Sequence, residues 1–154
     1  MLALALVLPL AVALVQGSAR GVVAAGDDEK PYTIKDGAVD WYTFNGFRRY
    51  HSECHVCHGP DGLGSTFAPA LVDSLKTMTY EQFAEVVING RKVVNAAKQS
   101  EMPAFGLNRN VACYIDDLYA YLKARSDGAL GRGRPPKKMA KPKEAVERDD
   151  ACMG

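Results

Sequence analysis

The chain has 154 residues, with 19 Lys and Arg against 18 Asp and Glu, so its formal net charge is +1. This length suits one small domain, and the balanced charge does not favour nucleic-acid binding. Residues 1–25 stand apart, because Leu2–Val15 is an apolar stretch followed by small residues, the pattern of a secretory signal peptide. A membrane-spanning helix needs about 20 apolar residues. Because this stretch is shorter and is broken by Pro9, we expect export and cleavage, after Ala19 or after Ala25; the alternative is that the segment remains as a short anchor.

Charge divides the remaining chain into two parts. Residues 26–130 carry 11 basic and 14 acidic side chains, whereas residues 131–154 carry 7 basic and 4 acidic ones. The second part is rich in Pro and Lys and poor in large apolar residues, so we expect the folded unit to be Tyr32–Ala129, followed by a basic tail. The tail's cations either steer a partner with an acidic surface or are simply solvated. They are Arg132, Arg134, Lys137, Lys138, Lys141 and Lys143.

Apolar periodicity predicts helices, and no alternating run of β-branched residues is long enough to indicate a sheet. The first predicted helix is Asp36–Glu53. The second is Tyr80–Asn89, which begins after a Thr79 capping box and ends at a glycine. The third is Val111–Arg125, and its acidic pair Asp116-Asp117 is expected on a solvated face. The chain is therefore predicted to be all-α.

The chemically decisive motif is Cys54-His55-Val56-Cys57-His58, the pattern of covalent c-type haem attachment. Two thiols three residues apart reach the two vinyl groups, and the following histidine then lies beneath the iron as its proximal ligand. A structural zinc site would need further paired ligands, and a redox dithiol would need a strand–helix–strand unit. Neither accompanies the motif.

A second axial ligand is expected from the loop at residues 99–106, where Met102 precedes a stiffening proline. Met78 is the rival, although its place just before a helix cap explains it as a packing residue. His51 and His55 are nitrogen alternatives and are expected to face solvent. Two further methionines, Met139 and Met153, lie in the tail.

Several other residues are candidates for supporting the haem. A haem-ligating histidine usually donates its second ring nitrogen to a carbonyl, and Pro69 is the candidate here, with the alternative that it only shapes its loop. Apolar residues that could bury the haem are equally expected as plain core. They are Trp41, Phe44, Phe67, Leu71 and Phe105.

Two cysteines, Cys113 and Cys152, remain after haem attachment. An even number in an oxidising compartment favours a disulfide between them, which would tie the tail back to the domain. The alternative is a free or intermolecular thiol at Cys152.

The residues Gly46, Tyr50 and Cys54 to His58 resemble the signature of class I cytochromes c. The Ala-Pro-Ala-Leu segment at Pro69 and the Met-Pro-Ala-Phe segment at Met102 stand where that family has its histidine-supporting proline and axial methionine. The resemblance implies a class I cytochrome c fold, with three to five helices around one covalent haem. It also implies a close crossing of the first and last helices, with Gly46 and Tyr50 against Leu118 and Tyr121.

More narrowly, the chain is similar to the four-cysteine cytochromes of methanol metabolism, the XoxG-type acceptors of lanthanide-dependent methanol dehydrogenase. The segments 37–41 and 110–115 and the extra cysteine pair carry this similarity. It implies a periplasmic electron carrier without catalytic residues, one that takes electrons from a PQQ-dependent alcohol dehydrogenase and passes them to a cytochrome or oxidase. No nucleic-acid partner and no membrane insertion after cleavage are expected. The alternatives are a general electron shuttle, or a peroxidase or gas sensor if methionine does not bind the iron.

Overall fold

A computed structural model describes residues 30–95 and 98–153. The predicted signal peptide, residues 1–25, lies outside the described residues.

The all-α class is confirmed: four helices of ten or more residues form the body, as expected. Three single-turn helices, one 3-10 turn and five short strands join them. The helices are α1 (Trp41–Glu53), α2 (His55–His58), α3 (Leu71–Ser74), α4 (Tyr80–Asn89), α5 (Arg109–Ala112), α6 (Ile115–Ser126) and α7 (Lys143–Met153), with the 3-10 turn at Pro60–Gly62. The strands are β1 (Ile34–Lys35), β2 (Ala38–Val39), β3 (Arg91–Asn95), β4 (Lys98–Met102) and β5 (Lys137–Lys138).

The predicted start of the first helix, Asp36, is wrong. Asp36 and Gly37 have φ of 52° and 75° and form the tight turn between β1 and β2, the geometry that an Asp-Gly pair favours in a hairpin. The helix begins only at Trp41, where the Asp40 carboxylate accepts a hydrogen bond from the Thr43 amide (2.8 Å). A local turn signal therefore outweighs the helical periodicity at this point.

The other two predicted helices differ in how closely their predicted bounds match the structure. Helix α4 has the predicted bounds, with a complete capping box between Thr79 and Gln82. The third predicted helix is interrupted at Cys113 and Tyr114, which separate α5 from α6. The antiparallel hairpin of β3 and β4 was not predicted.

Helices α1 and α6 cross as the family resemblance implies. A Cβ built on Gly46 would lie 1.8 Å from the Asp117 carbonyl oxygen and 2.8 Å from the Tyr121 Cβ. Only glycine permits this approach of the two backbones. Beside the crossing the rings of Tyr50 and Tyr121 pack with centroids 5.5 Å apart, and both side chains are fully buried. The close crossing fixes α6 against the helix that leads into the cysteine motif.

The tail is folded onto the domain rather than ending the folded unit at Ala129. Strand β5 pairs in parallel with β2, and the Met139 amide donates to the Val39 carbonyl (2.8 Å). The disulfide expected between Cys113 and Cys152 is present and joins α7 to the end of α5, just before α6 begins. Backbone pairing and the disulfide thus hold residues that could not bury enough surface by themselves.

A buried ion pair also holds α7. Both guanidinium nitrogens of Arg148 donate to the carboxylate of Asp117 (2.7 Å each), and the Asn45 amide donates to the same group (2.7 Å). Asp117 is completely buried, so its expected place on a solvated face is wrong. The tail supplies the cation that this buried carboxylate needs.

Among the residues that the structure describes, no helix is long and apolar enough to span a membrane.

Candidate haem-binding site

The motif cysteines and histidine lie where α1 gives way to α2. Cys54 caps α1, and the His58 amide donates to the Cys54 carbonyl (3.0 Å), which places the two residues one helical turn apart on the same face. The side chain of Cys54 is partly buried, Cys57 is exposed, and His58 is buried. Both cysteines are free thiols, so both are available for covalent attachment.

The loop after His58 folds back over the histidine. The Gly64 amide donates to the His58 carbonyl (2.7 Å), and the Tyr50 hydroxyl donates to the Gly59 carbonyl (2.5 Å). The loop then brings the Pro69 carbonyl oxygen within 3.0 Å of His58 Nδ1. With Nδ1 engaged by this carbonyl, Nε2 is the ring nitrogen left to bind a metal.

Met102 ends β4, on a segment that is fastened to the end of α4. Gly90, with φ of 75°, follows α4, and a Cβ at Gly90 would lie 2.6 Å from the Met102 carbonyl oxygen. The amides of Phe105 and Gly106 donate to the carbonyls of Val87 and Ile88, at 3.0 Å each. The side chain of Met102 is partly buried and packs against the same hydrophobic core as Cys54. These contacts fix the position of the backbone around Met102.

The alternative ligands have other surroundings. Met78 is partly buried against the core just before the Thr79 cap, which fits its expected packing role. His51 and His55 are half-buried and stack with ring centroids 5.7 Å apart, so their expected solvent-facing position is wrong. His51 Nδ1 lies 2.8 Å from the Phe47 carbonyl oxygen, whereas His55 Nδ1 is buried without a partner in the described structure.

The five apolar side chains predicted to bury either the haem or the core differ in their exposure to solvent. Phe44 is buried, and Trp41, Leu71 and Phe105 are partly buried against the core. Phe67 lies on the loop between His58 and Pro69 and is 79% exposed. Phe67 is thus surface and not core.

Sequence reasoning missed the buried carboxylate of Asp61, three residues beyond His58. Its oxygens accept hydrogen bonds from the Gly133 amide (2.8 Å) and Arg132 Nε (3.3 Å), while Arg125 Nε donates to its backbone carbonyl (3.3 Å). Burial by itself raises the pKa of this carboxyl, but these donors and cations outweigh burial and hold the pKa below its usual range. The only signal in the sequence was a polar residue in a glycine-rich turn.

The thiol of Cys54 is protonated at neutral pH. Burial raises its pKa to about 12, and the nearby Glu53 and Cys57 act in the same direction. A groove beside α4 and α6, with a volume of about 990 Å³, is lined by none of the motif residues.

The donor set fits haem c. Two free thiols stand beside an imidazole that a carbonyl orients, and a thioether is held on a separate loop. Among residues 30–95 and 98–153, no group of three or more His, Cys, Asp or Glu side chains is arranged to hold a metal ion.

Comparisons with known proteins agree with this chemistry. The family model for cytochrome c oxidase, cbb3-type, subunit III matches residues 44–122. The chain is 57% identical over 128 residues to cytochrome c-553I of Paracoccus denitrificans, which covers 82% of this chain and 57% of that protein's length. It is 46% identical over 96 residues to cytochrome c-555 of Methylococcus capsulatus, covering 62% of this chain and 72% of that protein.

A solved structure is also similar. The c-type cytochrome XoxG of Methylobacterium extorquens AM1 aligns with a TM-score of 0.68 and 46% identity, over 82% of this chain and 84% of that one. The proteins of this family are electron-transfer proteins rather than enzymes, and they bind one covalent haem c. The chain therefore belongs to the c-type cytochromes.

Proposed function

We propose that this cytochrome is a periplasmic single-electron carrier between a PQQ-dependent methanol or alcohol dehydrogenase and a downstream cytochrome or oxidase. The observation that carries the proposal is the buried His58, whose Nδ1 faces the Pro69 carbonyl one helical turn from a free thiol. The chain spans about 57% of the length of its Paracoccus relative.

Each predicted site residue has one role in this proposal. Cys54 and Cys57 would hold haem c through thioether bonds, and His58 Nε2 and the sulfur of Met102 would bind its iron. Pro69 holds the imidazole ring in one orientation and one tautomer. When bound, haem c supplies a one-electron couple.

With both His58 and Met102 as ligands, the iron would have no open coordination position, which favours electron carriage over peroxidase or gas-sensing chemistry. The segment that bears Met102 is tied to the end of α4 by the hydrogen bonds of Phe105 and Gly106, so backbone contacts independent of any metal hold this residue in place. A methionine opposite a histidine raises the reduction potential. The residues thus favour a carrier whose iron changes charge without binding substrate.

The choice of donor and compartment rests on further features. The similarity to XoxG and the extra cysteine pair support a methanol dehydrogenase as donor. A disulfide forms and persists in an oxidising compartment, and together with the predicted signal peptide at residues 1–25 this supports the periplasm.

The test is stopped-flow reduction of the haem-loaded, ferric cytochrome by lanthanide-loaded methanol dehydrogenase with methanol. We expect fast and saturable reduction, well above that of an unrelated class I cytochrome c measured in parallel. Omitting methanol controls for reduction by other routes. A rate no higher than that of the unrelated cytochrome contradicts the proposed donor and leaves an electron carrier with a different one.

A further inference from the structure

The loop after His58 carries a buried carboxylate that has no part in binding haem. Asp61 lies three residues beyond His58, and its side chain is only 6% exposed. The loop doubles back on itself, since the Gly64 amide donates to the His58 carbonyl (2.7 Å) and the Gly62 amide to the Gly59 carbonyl (3.4 Å). Three residues of chain span at most about 11 Å. The backbone of Asp61 is therefore held close to that of the predicted axial ligand.

Helix α6 fastens this loop through one buried cation. Arg125 is 9% exposed, and its Nε donates to the backbone carbonyl of Asp61 (3.3 Å). Its Nη1 donates to the carbonyl of Leu130 (2.6 Å), where the tail leaves the domain. Leu130 is itself buried, and its amide donates to the Ala124 carbonyl (3.1 Å). A single guanidinium thus joins the histidine loop to the beginning of the tail.

The carboxylate of Asp61 takes its own partners from the tail. The Gly133 amide donates to one oxygen (2.8 Å) and Arg132 Nε to the other (3.3 Å). These two donors lie beyond residues 44–122, the part of the chain that the family model matches. Their segment is fixed on one side by Leu130 and on the other by the pairing of β5 with β2. The tail therefore contributes directly to the loop of the axial histidine.

These contacts keep Asp61 ionised. Burial favours the neutral acid and raises the pKa of the carboxyl. The hydrogen bond from the Gly133 amide and the charges of Arg132 and Arg125 outweigh burial, so the pKa stays below its usual range. The side chain therefore carries a negative charge at neutral pH.

The charge of Asp61 acts on groups beside His58. The Tyr50 hydroxyl donates to the carbonyl of Gly59, the residue directly after the histidine (2.5 Å). Burial raises the pKa of this hydroxyl, and the carboxylate of Asp61 acts in the same direction. The same is true of Tyr121, whose ring packs against that of Tyr50. Both hydroxyls stay neutral, so neither offsets the charge of the carboxylate.

We infer that Asp61 is a positioning residue whose charge, held in place by Arg132 and Gly133 of the tail, lowers the reduction potential of the haem bound at His58. Oxidation of a haem iron adds one positive charge to the site. A nearby anion therefore stabilises the ferric form, and a nearby cation stabilises the ferrous form. The inference rests on the part of the proposed function that makes His58 the axial ligand. It does not depend on which dehydrogenase is the donor.

The test is the reduction potential of the haem-loaded protein, measured by spectroelectrochemical titration with small-molecule mediators at neutral pH. Asp61→Asn removes the charge and keeps an oxygen that can accept from the Gly133 amide. Asparagine also tolerates the left-handed backbone at this position, where φ is 63°. We expect Asp61→Asn to raise the potential and to shift the electron-exchange equilibrium with a mediator toward the ferrous form by roughly three- to tenfold.

A change at the partner of Asp61 should have the opposite sign. Arg132→Gln removes a cation from the same ion pair and should lower the potential. Because the Arg132 side chain is 72% exposed, water screens its charge, and we expect a shift of roughly twofold in the same equilibrium. Loosening of the loop would shift the potential in one direction in both variants. Opposite signs therefore separate an effect of charge from an effect of structure.

An exposed ion pair elsewhere supplies the matched controls. Asp73 and Lys76 form a contact of 2.7 Å near α3, with side chains 68% and 61% exposed. Asp73→Asn and Lys76→Gln make the same two changes of charge there, and both should keep the wild-type potential. Raising the ionic strength to about 0.3 M should leave most of the Asp61→Asn shift in place, because buried charges are screened less than exposed ones.

Two results would overturn the inference. One is a shift of the same sign in Asp61→Asn and Arg132→Gln, and the other is a shift no larger than that of the controls. If Asp61→Asn does not fold around haem, Arg132→Gln decides by itself, and an unchanged or raised potential then contradicts the role of the tail. The mediators exchange electrons with the cytochrome directly, so failure of methanol dehydrogenase to reduce it would overturn the proposed donor and leave this result standing.

Discussion

Replacing Arg148 by alanine should lower the free energy of unfolding by about 3 kcal/mol, because it leaves the Asp117 carboxylate buried without a counter-charge. The carboxylate is 1% exposed, whereas the arginine side chain is 27% exposed. Removing one partner of a buried ion pair costs about 3–5 kcal/mol. The remaining hydrogen bond from Asn45 and the partial exposure of Arg148 place the expected loss at the lower end.

Denaturant unfolding of the oxidised, haem-loaded protein, followed by far-ultraviolet circular dichroism, measures this loss. The disulfide keeps α7 attached in the variant, so the loss reports the ion pair and not release of the tail. Lys143→Ala is the matched control on the same helix, since its ion pair with Glu147 is exposed and should be worth less than about 1 kcal/mol. The double change Asp117→Asn with Arg148→Met should recover most of the loss. A cost below about 1 kcal/mol for Arg148→Ala, or no recovery in the double variant, would refute the reasoning.

Three further outcomes are expected. Met102→Ala should abolish the weak red absorption band of methionine-ligated ferric haem and open the iron to cyanide, whereas Met78→Ala should keep the band; the opposite pattern would assign the ligand to Met78. Because the folded protein holds the pKa of Asp61 low, its carboxylate stabilises the fold above the unfolded pKa of about 3.9 and loses this effect as the pH falls below it. Asp61→Asn should therefore reduce the difference in unfolding free energy between about pH 6 and about pH 3, and an unchanged difference contradicts this. Cys152→Ser removes a cross-link that closes 39 residues of chain and should cost about 4 kcal/mol in denaturant unfolding; a cost below about 1 kcal/mol would show that the ion pair and β5 suffice.

The parts of the fold that short-range chemistry determines could be predicted from the sequence. Helix α4 has its capping box, its apolar face and its terminal glycine within one short segment, so its bounds follow from local interactions. A ligating histidine needs an acceptor for its second nitrogen, which made the Pro69 carbonyl a candidate, and the family resemblance favoured it over a role in shaping the loop. The roles of these two residues and of Met102 toward haem stay predictions until the spectra are measured.

What could not be predicted depends on contacts between distant parts of the chain. Nothing near Lys137 indicates a strand, because β5 exists only through its pairing with Ala38 of β2. Asp117 looks like half of a solvated acidic pair until Arg148, 31 residues later, reaches it. The hairpin that leads to Met102 has polar residues at most positions of β4, so alternation gave no signal there.

The burial of Cys54 has a consequence for the order of biosynthesis. In the compartment that oxidises Cys113 and Cys152, the two motif cysteines must stay reduced until they are joined to haem. The thiolate is the reactive form of cysteine, and the folded protein raises the pKa of the Cys54 thiol to about 12. Folding therefore slows the exchange of Cys54 with other disulfides. It also slows the attachment of haem to the Cys54 sulfur.

We therefore expect haem to attach to Cys54 faster before the domain closes around it than after. The order of the cysteines along the chain suits such a sequence of events, because residues 54 and 57 are synthesised ahead of residues 113 and 152. In such a sequence, the disulfide between Cys113 and Cys152 would form last. In this order of maturation, the first cysteine pair reacts with haem before the second pair forms the disulfide, so timing as well as position keeps the two reactions apart.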